Sequence, residues 1–157
     1  PIEFESIGSG LFPTLLLLNH SCAPNTVRLN LHGSSVLMVA KSFIPKGSEV
    51  SDCYGPHFLS LALTPRKAEL NKRYNFDCTC PACRNGFPLL KDLPGRDLGQ
   101  KEATWERFLR EKAPGPGLEA ISEYLSSFPG TPEPDRNQEK GGIGFSILLW
   151  RMGNGNK

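Results

Sequence analysis

Cys78-Thr79-Cys80-Pro81-Ala82-Cys83 places three thiols within six residues, and the only other cysteines in the chain are Cys22 and Cys53. Three thiolates this close make up most of a structural zinc site, which needs four ligands in a tetrahedron. The fourth ligand therefore comes from a distant segment, and the metal ties two parts of the chain together. Cys22 sits in the polar turn Asn19-His20-Ser21-Cys22-Ala23-Pro24-Asn25, directly after Leu15-Leu16-Leu17-Leu18. Cys53 stands beside Tyr54 on a short predicted strand, where neighbouring side chains point to opposite faces, so a Tyr54 facing a site leaves Cys53 facing the core. In either case the segment around residues 78–83 folds back onto something far upstream.

Bulk properties narrow the class. A length of 157 residues suits one domain, or one domain with an appendage, and leaves enough chain for a core. Gly and Pro contribute 16 and 14 residues, which implies many turns and little long regular structure. The net charge of +2 is too small to argue for nucleic acid or a membrane surface as partner. Clustered cysteines of odd number fit metal ligation in a reducing compartment better than a secreted disulfide framework. The start, Pro1-Ile2-Glu3-Phe4-Glu5, is acidic and has no apolar core of the kind a signal peptide needs. No apolar run approaches the ~20 residues that span a bilayer. The expectation is a soluble intracellular protein, cytoplasmic and/or nuclear. It lacks an initial Met, as a fragment would.

Outward from the two motifs, the pattern predicts an α+β organisation. Thr14 is a candidate N-cap for the leucine run, which reads as a buried segment. Val27–His32 alternates apolar and polar residues, Gly33-Ser34 supplies a turn, and Val36–Ala40 reads as the second strand of a hairpin. Pro45-Lys46-Gly47 is a tight turn before a short strand over 49–54. Thr64-Pro65 signals a helix start, with Thr as cap and Pro at the first helical position. On that helix Arg66, Lys67, Lys72 and Arg73 read as a solvated face. Further on, one amphipathic helix gathers Trp105, Phe108 and Leu109, and a second gathers Leu118, Ile121, Leu125 and Phe128. Pro114-Gly115-Pro116-Gly117 separates them into a helical hairpin. Pro129–Gly142 is polar and Pro-containing, which suggests disorder, and the apolar stretch Ile143–Met152 has no evident partner. His32 and His57 receive no role.

In this order (hairpin, Cys-Tyr strand end, helix, CxCxxC) the elements resemble the C-terminal half of a SET domain with its post-SET zinc site. Asn19-His20-Ser21-Cys22-Ala23-Pro24-Asn25 is similar to that family's cofactor-contacting signature. Pro45-Lys46-Gly47-Ser48-Glu49-Val50 followed by Cys53-Tyr54 is similar to its catalytic-tyrosine segment. Tyr74-Asn75-Phe76-Asp77-Cys78-Thr79-Cys80-Pro81-Ala82-Cys83 resembles the post-SET segment of the SET-and-MYND-domain proteins. Cys53-Tyr54-Gly55-Pro56-His57 narrows the resemblance to the branch of the family's fourth member. The likeness covers roughly residues 8–86 and is specific because its motifs occur together.

The resemblance implies a division into the C-terminal part of a SET domain (1–73), a post-SET zinc segment (74–86) and the start of a helical C-terminal region (87–128), and it leaves 129–157 as a disordered or unmatched tail. It implies an S-adenosylmethionine-dependent protein-lysine N-methyltransferase acting on a lysine of a protein substrate, with a further protein partner reached through the C-terminal helices. Tyr54 would be catalytic and would also touch the cofactor. Asn19 and His20 would hold its adenosine and methionine parts, and Tyr74 and Phe76 would wall the cofactor and lysine channel, where aromatic faces suit a cation. Cys22 would join Cys78, Cys80 and Cys83 on zinc. Two departures stand out. Leu16 occupies a place where the family often has a small hydroxyl residue, and no segment matches the family's glycine-rich cofactor loop or its MYND finger. The chain alone is therefore expected to be inactive, as a fragment or splice product. The competing readings are a catalytically inactive, zinc-stabilised interaction module and a structural zinc domain of unrelated fold.

Overall fold

The computed structural model describes residues 9–32, 35–41, 43–95, 100–128 and 134–154. Among the described residues strand pairing is confined to two small sheets. β2 (Thr26–His32) and β3 (Ser35–Ala40) run antiparallel, with Thr26 opposite Ala40 and Val27 opposite Val39. Their alternation buries Leu29 and leaves Arg28 and Asn30 exposed, as a period of two requires. The expected turn, Gly33-Ser34, lies outside the described residues. β1 (Asn19–His20) pairs in parallel with β4 (Ser51–Asp52), setting Asn19 beside Ser51 and His20 beside Asp52. The strand expected over 49–54 is thus only two residues long. Side chains supply the bonds that a longer ladder would have made. Asn25 Oδ1 accepts the Ser51 N–H at 2.8 Å, Asn25 Nδ2 donates to the Glu49 carbonyl at 2.8 Å, and the Thr26 hydroxyl donates to the Ser51 carbonyl at 2.7 Å.

The leucine run departs from expectation. It forms a single 3-10 turn, Leu15–Leu17, without a side-chain bond from Thr14, and Leu16 and Leu17 are 71% and 79% exposed. With three residues per turn, positions i and i+3 eclipse, so Leu15 and Leu18 share the inward side and the two between them face out.

α1 (Leu63–Tyr74) starts one residue before Thr64 and is capped by Ala62 with no side-chain bond. Pro65 falls within the first turn, where the missing N–H has no intrahelical partner to lose. Asn75, in the left-handed region at φ 57°, ends the helix with its N–H on the Asn71 carbonyl. The expected solvated basic face needs one correction. Lys72 and Arg73 are exposed and Lys67 is half-buried, but Arg66 is completely buried, because it stands one turn from Leu70 on the inward side. α2 (Pro81–Arg84) follows, with Pro81 at its first position. A core of Cys22, Phe58, Leu70, Cys78, Ala82 and Leu93 joins the polar turn, α1 and the cysteine segment.

Three further helices build a second core from Trp105, Ile121, Tyr124 and Leu148. They are α3 (Gln100–Arg110), α4 (Pro114–Ser126) and α5 (Arg136–Asn154). Pro114-Gly115-Pro116-Gly117, expected to lie between helices, is the first turn of α4, where prolines cost nothing in hydrogen bonds. The disorder expected over 129–157 is also corrected. Arg136–Asn154 is helical and its apolar stretch packs on α3 and α4, whereas 129–133 and 155–157 lie outside the described residues. Glycines that look like breakers are the contact points. A Cβ on Gly144 would lie 2.6 Å from the Trp105 ring, and one on Gly141 would lie 2.8 Å from Leu125. Lys41 fastens α5 to the end of the hairpin through Glu139 at 3.1 Å. Among the described residues no helix is long and apolar enough to cross a membrane.

Candidate functional site

The site forms where the parallel pair β1–β4 meets the C-terminal end of α1 and the cysteine segment. Cys22 follows β1, Cys78 and Cys80 lie on the extended approach to α2, and Cys83 is within α2. Their four Sγ atoms all lie within 4.8 Å of one another. Cys22 Sγ is 3.9 Å from Cys78 Sγ and 3.6 Å from Cys83 Sγ. A tetrahedron with Zn–S bonds of ~2.3 Å has sulfur–sulfur edges of about 3.8 Å. The donor set and its spacing therefore fit zinc.

The thiols hold one another in unequal states. Hydrogen bonding with Cys80, then burial, pushes Cys22 up; burial pushes Cys78 up; and the Cys22 thiol, against the opposing effect of burial, draws Cys80 down. Four thiolates cannot share this space without a cation, so metal binding would release protons. Of the two candidate fourth cysteines, only Cys22 joins the cluster. Cys53 lies past the end of β4, its Sγ toward the Pro56 carbonyl at 3.5 Å and its thiol raised chiefly by burial.

His20 joins this cluster to Tyr54. Its Nδ1 accepts the backbone N–H of Tyr54 at 3.1 Å, and its Nε2 lies 3.2 Å from Cys22 Sγ. A backbone N–H can only donate, so Nδ1 carries no proton and the neutral ring presents Nε2–H to the sulfur. Burial lowers the His20 pKa and favours this neutral form. Tyr54 is fixed at two more atoms. Its hydroxyl donates to the Leu18 carbonyl at 2.6 Å, and its own carbonyl accepts the Tyr74 hydroxyl at 3.0 Å.

The rings of His20, Tyr54, Tyr74 and Phe76 form one tilted aromatic group, with successive centroids 5.2–6.4 Å apart. Tyr74 stays 44% exposed, so this group has an open side. Asn19 is exposed beside it, and its Nδ2 donates to Glu49 Oε1 at 2.6 Å. All nine residues singled out from the sequence therefore lie in one region of the fold, linked through His20 and Tyr54.

Two features were missed from the sequence. Arg66 lies against Cys83, although its i, i+4 relation to Leu70 was a signal that it faces inward. The Leu18 carbonyl that receives the Tyr54 hydroxyl is backbone and leaves no mark in composition.

Comparison with known proteins places this geometry. Residues 6–55 match the SET domain family model. This excludes a structural zinc domain of unrelated fold. The protein-lysine N-methyltransferase SMYD4 of Homo sapiens is 41% identical over 78 residues, 50% of this chain and 10% of its own length. The histone-lysine N-methyltransferase SMYD3 of Homo sapiens is 36% identical over 84 residues, 52% of this chain and 18% of its own length. The histone-lysine N-methyltransferase Smyd1 of Mus musculus is 31% identical over 134 residues, 77% of this chain and 24% of its own length. Over these segments the chain is similar to SET-and-MYND proteins named as protein-lysine methyltransferases, and it spans about a tenth of the length of the human SMYD4 relative.

Proposed function

We propose that this chain supplies the tyrosine-bearing C-terminal part of a SET domain and its post-SET zinc segment to an S-adenosylmethionine-dependent protein-lysine N-methyltransferase. The SET part runs to residue 73, the zinc segment covers 74–86, and the helices from residue 87 begin the family's helical region, with α5 added to it. The observation that carries this reading is His20, whose two ring nitrogens join the cysteine cluster to Tyr54. A metal at the cysteines would thereby fix the position of the tyrosine.

S-adenosylmethionine, when bound, supplies a sulfonium methyl for transfer to a neutral lysine amine. The chain's own residues contribute placement and exclusion of water, which is where such a reaction gains most of its rate. Tyr54, held at N–H, carbonyl and hydroxyl, cannot drift, and its hydroxyl would orient the amine. Tyr74 and Phe76 present aromatic faces suited to a cationic group. Asn19 and His20 would hold the adenosine and methionine parts of the cofactor. Cys22, Cys78, Cys80 and Cys83 would bind zinc as a structural ion.

The test is a chimera in which the matched 78 residues replace their counterparts in the human SMYD4 relative. Methyl transfer from labelled S-adenosylmethionine to mixed protein substrates should occur, and Tyr54→Phe should lower it by orders of magnitude. Cofactor affinity should stay within about tenfold, because the hydroxyl acts mainly in the transition state. An unchanged rate in the Tyr54→Phe chimera removes Tyr54 from the mechanism. A folded chimera that binds cofactor but transfers nothing makes the segment a zinc-stabilised interaction module.

A further inference from the structure

Arg66 is the most deeply buried ionic group of the first core, with no exposed surface. Its Nη1 donates to the Leu61 carbonyl at 2.7 Å and its Nη2 to the Ala82 carbonyl at 3.1 Å, while Nε has no partner. Among the described residues no carboxylate stands within ion-pair distance of it. A buried guanidinium without an anion carries a large desolvation penalty, and folds avoid leaving one uncompensated. The candidate anion is sulfur: Nη2 lies 3.8 Å from Cys83 Sγ.

We propose that Arg66 is the charge-balancing and positioning residue of the four-cysteine centre. The inference rests on the zinc reading given above. Four thiolates around a divalent cation carry a net charge of −2, and one guanidinium packed against the Cys83 sulfur offsets half of it. The same side chain fixes the geometry of the ligands. Its bond to the Ala82 carbonyl holds α2, and with it Cys83, against α1. Its bond to the Leu61 carbonyl anchors the segment just before that helix. α1 ends at Tyr74, whose hydroxyl holds the Tyr54 backbone, so Arg66 links the metal ligands to the aromatic group through one rigid element. A hydrogen bond to a ligand sulfur and a fixed ligand orientation are the two routes by which outer residues tune a metal site.

The experiment compares the full chain with Arg66→Gln and Arg66→Lys, using zinc affinity by chelator competition and the thiolate-to-metal absorption band after loading with cobalt(II). Glutamine keeps a donor without charge, and lysine keeps charge without the fork. Arg66→Gln should bind zinc roughly 10–100-fold more weakly and shift the cobalt band, and Arg66→Lys should recover most of the affinity. Equal affinities and identical bands in parent and Arg66→Gln overturn the proposal. So does Arg66→Lys losing as much as Arg66→Gln while circular dichroism shows both folded. If Arg66→Gln does not fold, Arg66→Lys decides alone: affinity within about tenfold of the parent supports the proposal, and a loss beyond about 100-fold overturns it. A parent chain that binds no zinc overturns the metal reading itself, and this inference falls with it.

Discussion

The glycines of α5 allow a test in which two similar substitutions should have opposite signs. A glycine-to-alanine change inside a helix favours folding by about 0.5–1 kcal/mol, because alanine loses less backbone freedom. Gly142 receives that gain nearly intact, since the nearest heavy atom to its new methyl is Lys41 Cε at 3.7 Å, an ordinary contact. At Gly144 the methyl would sit 2.6 Å from Trp105 Cζ3 and 2.9 Å from Ile121 Cδ1. Trp105 and Ile121 are buried among Tyr124 and Leu148, so neither yields without disturbing the rest of that core. Overpacking of this kind costs about 1–3 kcal/mol, which outweighs the helix gain. Gly144→Ala should therefore destabilise by about 1–2 kcal/mol while Gly142→Ala stabilises by up to about 1 kcal/mol. Urea unfolding of the zinc-loaded chain, followed by tryptophan fluorescence and far-UV dichroism, reads both. A Gly144→Ala chain as stable as its parent would refute the close seating of α5 on α3.

Other outcomes follow from the first core and the site. Burial, aided by the positive charges of Lys41 and Arg66, lowers His57 from 6.5 to about 4. The unfolded chain then binds the proton first, so His57 lowers stability as pH falls from about 6.5 to 4, by up to about 3 kcal/mol, and adds nothing more below that; a His57→Gln chain should lose less than its parent between pH 7 and pH 5, and equal losses would count against the shift. Zinc chelation should open the core around Cys22 and Cys78 before the one around Trp105, because the two clusters have no residue in common; hydrogen exchange showing simultaneous loss would contradict this. Cys22→Ser should weaken zinc binding severely and Cys53→Ser should leave it unchanged, as chelator competition would show. Calorimetry on the 157-residue chain should show no micromolar S-adenosylmethionine binding, since the few contacts proposed for Asn19, His20 and Tyr74 would fall short of the roughly −8 kcal/mol that affinity needs; a clear micromolar isotherm would refute it.

Much of the site was legible in the sequence because it is built from short motifs with fixed offsets. The spacing of Cys78, Cys80 and Cys83, the turn around Cys22 and the Cys53-Tyr54 pair all have local signatures. The β2–β3 hairpin was legible through its period of two. The parallel pairing of β1 with β4 was not, because two-residue strands have no periodicity and their register is set by Asn25 and Thr26 side chains. α5 was hidden for a different reason. Glycine is a poor helix former in isolation, and the benefit of Gly141 and Gly144 exists only once Leu125 and Trp105 are opposite them. Arg66 shows the limit of reading charge as exposure: Lys67, Lys72 and Arg73 are its neighbours in composition, but only Arg66 stands directly above Leu70.

Cys22 and Cys78 are 56 positions apart in the chain, and β2, β3, β4 and the whole of α1 lie between them. A metal held by both turns that stretch into a closed ring. Under mechanical load applied at the two termini, tension would pass from Cys22 to Cys78 through the metal and bypass everything in between. The helices beyond residue 100 would extend first, at low force. The ring would then open in one step when a metal–thiolate bond ruptures, releasing roughly 190 Å of hidden contour at ~3.4 Å per residue. Chelator would erase that step and leave the earlier extension unchanged.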